Sequence, residues 1–411
     1  MLSRFKYYYE KCRSAWLSGT LRERFVRKIL TAIYVPLFVN YRYARLSRAD
    51  KRLIIDIGST DPLQRESGGQ PDDRAIIARI ARAYSLAKSA RVDAASPFVI
   101  RGLWDEWIRI NYGPLIEALT KEDSERAAQL LRNFQREQFA VGTGGNFEDV
   151  NRIRHSIFGR RYFKAVWSDY RDKLGESDFD LSGLSHPTIG NPAGISLNGT
   201  VVQIETLRHA YKAHAMRELL RDVRRPAVTE IGGGFGGQAC QLIAQSKKAG
   251  NPIGKYLDFD IPEVQIVASY FLLRAFPEDE IRLFGEAAPT DTFAIGVFPH
   301  FCIDTLPQMS ADLVFNSNSF SEMDSAAALH YLSVINHICR RYFMHVNHEV
   351  PFQFKQPDGT VSHNVVGSKM VPDPGVFKRV YKVPRLYGRP EDSFFKSYSY
   401  LYERMTGVEQ N

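Results

Sequence analysis

The sequence predicts a Rossmann-like, doubly wound α/β sheet that follows a mostly helical N-terminal domain. Three observations support this prediction. An apolar strand, Val228–Ile231, runs directly into a glycine turn and then into a helix. Strand and helix patterns alternate after this turn, which is typical of a parallel sheet with helices on both faces. Before about residue 200, apolar residues recur with helical spacing instead.

Helical periodicity dominates the N-terminal half. The predicted helices are Arg74–Ser89, Phe98–Leu119 and Ala127–Phe139. The run Thr120–Asp123 resembles a capping box ahead of the third helix. A further helix, Glu205–Arg221, leads directly into the glycine strand. The tryptophans in the second helix are interpreted as core residues rather than as a stacking platform.

The second half alternates short apolar strands with helices. The predicted strands are Val228–Ile231, Lys255–Phe259, Phe293–Phe298, Asp312–Asn316 and Tyr342–Asn347. The helices between them are Gly237–Lys248, Pro262–Phe276 and Ser325–Cys339. In a doubly wound sheet, ligands bind beyond the carboxyl ends of the strands. After residue 355 the chain is polar and aromatic, and its pattern places no element.

Composition and turn residues predict three regions. The chain has 411 residues, of which 44% are hydrophobic, enough for a large core and more than one domain. Loop-forming residues cluster near 60–73 and near 186–200. We therefore predict a basic, aromatic arm over 1–55, a mostly helical domain over 56–200 and the Rossmann-like domain over 201–411.

Positive charge is concentrated in the arm. The formal net charge of the chain is +8, whereas residues 1–52 contain 13 Lys/Arg and 3 Asp/Glu, which gives +10 and leaves −2 for the remainder. Aromatic residues are interleaved with the basic ones, so one interpretation is a helix lying on an anionic membrane. The other is a helical arm that packs on the protein or on a second subunit. The oligomeric state is left open.

The sequence favours a cytoplasmic location. The apolar run Ile29–Val39 has about half the length needed to span a bilayer, and it contains Pro36. No small-residue cleavage pattern follows it cleanly. The four cysteines lie far apart without metal-ligand spacing, which favours free thiols in a reducing compartment. Any membrane contact, through residues 1–50, is then expected at the inner face.

The glycine turn is the main candidate ligand site. Gly232, Gly234 and Gly236 permit positive φ angles and let a ligand approach bare main chain at a helix N-terminus. The turn also matches the dinucleotide pattern Gly-x-Gly-x-x-Gly, so NAD binding is one hypothesis. Glu230 favours another, S-adenosylmethionine (SAM), because SAM carries a cationic sulfonium and an ammonium group and no pyrophosphate. A glycine turn without a ligand is the structural alternative.

Asp260 ends the second predicted strand and is the candidate ribose ligand. A carboxylate at this position can accept hydrogen bonds from both ribose hydroxyls. We favour Asp260 over Asp258 because it is the last residue before the Ile261-Pro262 turn. Its alternative role is the N-cap of the following helix.

Polar residues at the end of the fourth strand are candidates for catalysis. The run Asn316–Asp324 would be costly to bury without partners, so we expect it to line a cleft. Glu322 is a candidate general base or the orienter of one, with Asn318 beside it. Helix capping is the alternative, especially for the serines of the run. Four histidines lie near strand ends or loops, and His348 is the first choice among them as a base. No tight ligand spacing indicates a metal.

The combination of motifs resembles the sugar O-methyltransferases of bacteria. The resemblance covers about residues 100–405 and leaves the first 60 outside. Its main motifs are Glu230-Ile-Gly-Gly-Gly-Phe-Gly-Gly, Tyr256-Leu-Asp-Phe-Asp-Ile-Pro-Glu and Asp312-Leu-Val-Phe-Asn-Ser-Asn-Ser-Phe-Ser-Glu-Met. Shorter similar runs are Asn133-Phe, Ile189-Gly-Asn-Pro and Thr206-Leu-Arg-His-Ala-Tyr.

This resemblance implies a class I SAM-dependent methyltransferase fold. It implies methyl transfer to a sugar hydroxyl of a surface glycan or of a glycosylated metabolite. It also implies that Glu230, Gly232, Gly234 and Asp260 hold SAM. The Asp-Ile-Pro segment is similar to small-molecule O-methyltransferases too, but their catalytic histidine would fall near Ser321, where this chain has none.

Three other functions stay open from the sequence alone. They are methylation of a small molecule that is not a sugar, NAD-dependent oxidoreduction at the same glycine turn, and a membrane-attached scaffold. A nucleic-acid partner is not expected, because residues 201–411 carry no basic stripe that could follow phosphates.

Overall fold

The computed structural model describes most of the chain after residue 72 and part of the arm. The described residues are 37, 39–52, 73–90, 96–101, 103–140, 156–174, 189–192, 195–197, 200–277, 280–351, 353–355, 361–385 and 397–405. Residues 1–36, which carry most of the predicted basic and aromatic arm, lie outside them.

Helices dominate the described residues before 175. In chain order the α-helices are α1 (Arg48–Arg52), α2 (Asp73–Ser89), α3 (Leu103–Asn111), α4 (Gly113–Thr120), α5 (Ser124–Arg132), α6 (Ile157–Leu174), α7 (Ile204–Leu220), α8 (Gly237–Lys248), α9 (Pro262–Ala275) and α10 (Ser325–Ile338). Short 3₁₀ turns lie at Phe134–Arg136, Gln138–Ala140, His300–Thr305, Ser319–Glu322 and Gly367–Lys369. The domain boundary near residue 200 stays a prediction.

Most strands of the described residues belong to one eight-stranded sheet. In chain order the strands are β1 (Ile195–Leu197), β2 (Thr200–Val202), β3 (Ala227–Ile231), β4 (Lys255–Asp260), β5 (Ile281–Leu283), β6 (Ile295–Pro299), β7 (Ala311–Ser317), β8 (Cys339–His348), β9 (Gln353–Lys355), β10 (Val361–His363), β11 (Phe377–Pro384) and β12 (Ser397–Arg404). The sheet order is β11-β12-β8-β7-β3-β4-β6-β5.

All neighbouring strands in this sheet are parallel except the two pairs that include β12. The chain starts at the central strand β3, moves outward to one side through β4, and crosses to β7 on the other side. This is the doubly wound, Rossmann-like arrangement, with its crevice at the carboxyl ends of β3 and its neighbours. The predicted fold class is therefore confirmed.

The structure differs from the sequence predictions at several helix ends and in the tail. The helix predicted over 98–119 is two helices, because Gly113-Pro114 follows Tyr112 and begins a new helix. The helix predicted over 127–139 instead begins after Asp123, whose carboxylate accepts from the Arg126 N–H, and it ends at Arg132. The strands that were not predicted are β1, β2, β5, β9, β10, β11 and β12.

Apolar cores lie on both faces of the large sheet. On one face, Val228, Tyr256 and Phe315 pack with helices α2, α4, α5, α7, α8 and α9. On the other face, Ile231 and Phe259 pack with α10 and the 3₁₀ turn that begins at residue 300. Because side chains alternate along a strand, residues two apart share a face. Glu230, which lies between Thr229 and Ile231, therefore faces the first core.

The described part of the arm packs on α6. Asp50 is buried and pairs with Arg171, and Arg42 pairs with Asp169. The Arg161 side chain donates to Asn40 at 2.6 Å. These contacts fit the interpretation of an arm that packs on the protein. Among the described helices, none combines the length and apolar character that crossing a bilayer requires.

Candidate active site

The glycine turn has the backbone conformation that its sequence predicts. Gly232, Gly234 and Gly236 have φ angles of +79°, +63° and +86°, a region in which residues with a side chain are strained. A Cβ on Gly232 would lie 2.2 Å from the Ser319 hydroxyl oxygen. Gly236 directly precedes α8, so the turn presents the N-terminus of that helix to the crevice.

Asp260, the last residue of β4, links that strand to the glycine turn. Its carboxylate accepts the Gly234 N–H at 2.9 Å through one oxygen and the Ile261 N–H at 2.7 Å through the other. Burial raises the pKa of Asp260 to about 7, although these two N–H donors oppose the rise. Ile261 occupies the N-cap position of α9, so Asp260 is not the cap.

Two more carboxyls lie beside Asp260 on the same face of the sheet. Glu230 on β3 is the cross-strand partner of Asp258 on β4, and both side chains are buried. Glu230 accepts a hydrogen bond from the Tyr256 hydroxyl. Burial raises the pKa of Glu230 to about 7, while Tyr256 and Lys212 act to lower it. We call Glu230, Asp258 and Asp260 the carboxyl cluster.

Asp258 is the member of this cluster that sequence reasoning set aside. It has no solvent exposure, and neither carboxyl oxygen makes a hydrogen bond of good geometry with the described residues. Burial, and then the charges of Glu230 and Asp260, raise its pKa well above its usual range, although the nearby Gly233 amide acts to lower it. A Cβ on Gly233 would lie 2.3 Å from the Asp258 carboxyl. Alternation along β4 places Asp258 on the same face as Asp260, and this spacing is the sequence signal that could have identified it.

Asparagines at the ends of β7 and β8 join three strands. Asn316 donates to the Ile231 carbonyl at 2.8 Å, and Asn347 donates to the Asn316 side chain at 2.9 Å. Both asparagines are fully buried. These bonds fix the carboxyl ends of β3, β7 and β8 relative to one another, which is a structural role.

Asn318 directly precedes the 3₁₀ turn after β7, at its N-cap position. Its φ angle is +69°, its N–H donates to the Val346 carbonyl at 2.8 Å, and its side-chain oxygen accepts from Arg385 at 3.2 Å. The structure therefore turns the Asn318 side chain toward Arg385, on the β8 side of the crevice. Its predicted catalytic role stays a prediction.

Glu322 ends the same 3₁₀ turn and faces the carboxyl cluster. Its carboxylate accepts a hydrogen bond from the Trp104 indole N–H at 2.9 Å. Burial raises the pKa of Glu322 to about 7, with the Trp104 bond opposing the rise, and its charge acts on Asp260. Helix α10 is capped by Asp324 rather than by the serines of the run. A carboxyl with this pKa, held in place by an indole, suits a general base.

His348 ends β8 on the same face as the carboxyl cluster. Its Nδ1 accepts the Val350 N–H at 3.2 Å. Strands β7 and β3 separate β8 from β4, which amounts to about 14 Å between strand axes. Of these two candidates, Glu322 is the one whose charge acts on Asp260. The role of His348 as a base stays a prediction.

Two short motifs from the helical half meet behind the glycine turn. The Gln135 N–H donates to the Gly190 carbonyl at 3.0 Å, and the buried Arg136 side chain donates to the Asn191 carbonyl at 2.9 Å. The Phe134 ring packs 5.8 Å from the ring of Phe235, which lies inside the turn. Sequence reasoning noted these motifs only through a resemblance, because contacts over 50 residues apart leave no local pattern.

No protein-family model and no curated protein matches the chain. Similar solved structures include a SAM-dependent methyltransferase from Mesorhizobium loti, with 15% identity over 48% of this chain and 98% of that chain, and a TM-score of 0.29. A Burkholderia thailandensis 1,6-didemethyltoxoflavin N1-methyltransferase, with S-adenosylhomocysteine bound, has 13% identity over 48% of this chain and 78% of that chain, and a TM-score of 0.32. The pyocyanin biosynthetic protein PhzM has 14% identity over 74% of this chain and 71% of that chain, and a TM-score of 0.30. Likeness at these levels assigns no ligand or activity to this chain.

Metal ligands are not clustered in the described part of the chain, where no group of three or more His, Cys, Asp or Glu side chains has a metal-binding arrangement. Its cysteines, Cys240, Cys302 and Cys339, are free thiols and buried.

Proposed function

We propose that this chain is a SAM-dependent methyltransferase that transfers a methyl group to a sugar hydroxyl. The carboxyl cluster carries the donor assignment. SAM would bring a sulfonium and an ammonium group to these carboxyls. A dinucleotide would bring a pyrophosphate, and two like charges 4 Å apart repel by about 4 kcal/mol at an effective dielectric constant near 20. The cluster therefore favours the cationic donor.

Buried polar atoms around the cluster fit a bound ligand. The Tyr112 hydroxyl and both Asp258 oxygens are buried without hydrogen-bond partners in the described structure. Burial, followed by the charges of Asp260 and Glu263, raises the pKa of Tyr112. An unsatisfied buried polar group costs about 1–3 kcal/mol, so partners supplied by a ligand would be stabilising. By this fit Asp260 would hold the ribose and Glu230 the ammonium end.

Glu322 is the proposed general base. When bound, SAM supplies an electrophilic methyl group. Glu322 would accept the proton of the acceptor hydroxyl, and a pKa near 7 leaves about half of these carboxyls ionised at neutral pH. The Trp104 bond fixes the direction in which the carboxylate points. Holding the hydroxyl oxygen in line for attack would account for much of the rate.

The sugar acceptor is supported by the resemblance and by the lining of the crevice. At the 3₁₀ turn after β7, Glu322 is bonded to the Trp104 indole and Asn318 to the Arg385 guanidinium. A lining of one aromatic ring and several hydrogen-bonding groups suits a hydroxylated ring. A small molecule that is not a sugar is the competing acceptor.

Titration calorimetry tests the donor. We expect the wild-type protein to bind SAM and not NADH, and we expect Asp258→Asn to weaken SAM binding at least tenfold. Asp222→Asn is the matched control, because the Asp222 side chain is 84% exposed. Binding of NADH without SAM would overturn the donor assignment.

Methyl transfer from labelled SAM tests the acceptor. Purified protein would be offered a panel of methyl glycosides and nucleotide sugars beside a panel of phenols and N-heterocycles, with mass spectrometry of the products. We expect one added methyl on an oxygen of a sugar. Transfer to the phenols or heterocycles alone would exclude the sugar assignment and leave the donor assignment standing.

We also propose that residues 1–50 contact an anionic membrane. The support is their net positive charge and interleaved aromatic residues. In sedimentation with anionic vesicles, we expect the full chain in the pellet and a form without residues 1–36 in the supernatant. Equal sedimentation of the two forms would exclude the arm as an anchor.

A further inference from the structure

A basic corner adjoins the carboxyl cluster. It consists of Arg208 and Lys212, one turn apart on α7, and Arg385, which follows β11. Lys212 is half-buried and points to the end of β7, where its ammonium group lies 3.3 Å from the Ser317 hydroxyl and 5.4 Å from the centre of the Phe315 ring. Phe315 is the cross-strand partner of Glu230, so the corner and the cluster share one edge of the sheet.

Arg208 in this corner has a carboxylate partner. It forms an ion pair with Glu205 one turn before it on α7. Burial acts to raise the pKa of Glu205, but Arg208 and Arg385 more than offset this and bring it to about 2. Glu205 is therefore ionised at any physiological pH and is already engaged.

Lys212 lacks such a partner. Among the described residues no carboxylate lies within ion-pairing distance of its ammonium group, whose hydrogen bond goes to a neutral hydroxyl. Burial, and then repulsion from Arg385, lowers the pKa of Lys212 to about 8, although the charges of Glu205 and Glu230 act to raise it. A half-buried ammonium that is repelled by a neighbouring guanidinium is stabilised when an anion binds between them.

We propose that Lys212, together with Arg385, forms an oxyanion subsite that binds a carboxylate of one of the two substrates. This inference rests on the proposed function. Lys212 interacts electrostatically with Glu230, so the pair presents one positive and one negative group side by side. That pattern complements the zwitterionic amino-acid end of SAM. The same subsite lies next to Asn318 on the acceptor side, where it would also complement a uronic acid.

Two binding measurements distinguish these sources. The first compares S-adenosylhomocysteine with its decarboxylated analogue, which lacks only the carboxylate. The second compares D-glucuronate with D-glucose on protein saturated with S-adenosylhomocysteine. Both are made by calorimetry on the full chain for wild type, Lys212→Met, Lys212→Arg and Arg385→Gln. Lys247→Met is the matched control, because Lys247 is exposed on α8.

If the subsite binds the carboxylate of the donor, wild type should bind S-adenosylhomocysteine at least tenfold more tightly than the decarboxylated analogue. Lys212→Met should then bind both equally, and Lys212→Arg should recover part of the preference. If it binds the carboxylate of the acceptor instead, Lys212→Met should lose glucuronate binding and keep S-adenosylhomocysteine binding unchanged. Either result supports the subsite.

Equal behaviour of wild type and Lys212→Met in both comparisons would overturn the subsite. If wild type failed to bind S-adenosylhomocysteine at all, the proposed function would fail, and glucuronate binding by the free protein would then decide the subsite alone. Thermal unfolding of each variant shows whether it is folded, and the Lys212→Arg form keeps the test valid if Lys212→Met is not.

Discussion

Replacing Glu230 by glutamine should stabilise the protein without ligand at alkaline pH. Burial raises the pKa of Glu230 from 4.5 to about 7, so the folded state binds a proton more tightly than the unfolded state. The stability from this group is present below pH 4.5 and is lost as the pH rises through 7. The pKa rises by about 2.5, so at about 1.4 kcal/mol per pH unit the full loss is about 3.5 kcal/mol. Glutamine cannot ionise, so the variant should avoid it.

Urea unfolding at two pH values measures this effect. We expect the unfolding free energy of Glu230→Gln to exceed that of wild type by under about 1 kcal/mol at pH 5 and by about 3.5 kcal/mol at pH 8.5. Glu125→Gln is the control, since Glu125 is exposed on α5 and should change by less than about 0.5 kcal/mol at both pH values.

The same variant should bind SAM at least tenfold more weakly, by calorimetry. A more stable protein that no longer binds is expected where a carboxyl is kept for a ligand and at a cost to stability. A Glu230→Gln protein that is less stable than wild type by more than about 1 kcal/mol at pH 8.5 would refute this reasoning. It would show that the ionised carboxylate holds the fold together.

Three further predictions test the glycine turn, the proposed base Glu322 and the packing of Phe134 behind the turn. Gly232→Ala and Gly250→Ala both place a side chain at φ near +80°, but only the Cβ at 232 meets an atom within 4 Å. In urea unfolding, the free energy of unfolding should fall by about 1–2 kcal/mol for Gly250→Ala and by more for Gly232→Ala. Equal losses would contradict the close approach at Gly232. Trp104→Phe removes the bond that lowers the pKa of Glu322, so the acidic limb of the pH–rate profile should move to higher pH, and an unmoved limb would exclude this carboxyl as the base. Phe134→Ala empties a fully buried site and should cost about 3–5 kcal/mol while weakening SAM binding; a loss under about 1 kcal/mol would contradict its place in the core.

The parts of the fold that local patterns determine were predictable from sequence. Strand β3, its glycine turn and the helix that follows are read from an apolar run and from glycines that must adopt positive φ. The antiparallel pair β11 and β12 was not predicted. Strand β11 is the exposed edge of the sheet, and most of its residues face solvent. Without a buried face, a strand shows no alternation of apolar and polar residues.

Site residues divide in the same way. Glu230 and Asp260 were predicted because they end adjacent strands beside the turn. Asp258 and Lys212 were not, since their environments depend on elements that are distant in sequence. The placement of Lys212 on α7 gives no indication that its ammonium group reaches the end of β7. Only tertiary structure shows which charges have partners.

Partners are what separate a structural buried carboxyl from one that awaits a ligand. Asp73 is buried, as Asp258 is, yet it pairs with Arg132 at 3.1 Å and with Arg274, and so joins three helices. Asp258 is buried with no such partner. Removing one member of a paired group should destabilise the fold by about 3–5 kcal/mol, whereas neutralising Asp258 should not. Opposite signs for the changes in unfolding free energy of Asp73→Asn and Asp258→Asn would show that the fold depends on the paired carboxyl and not on Asp258.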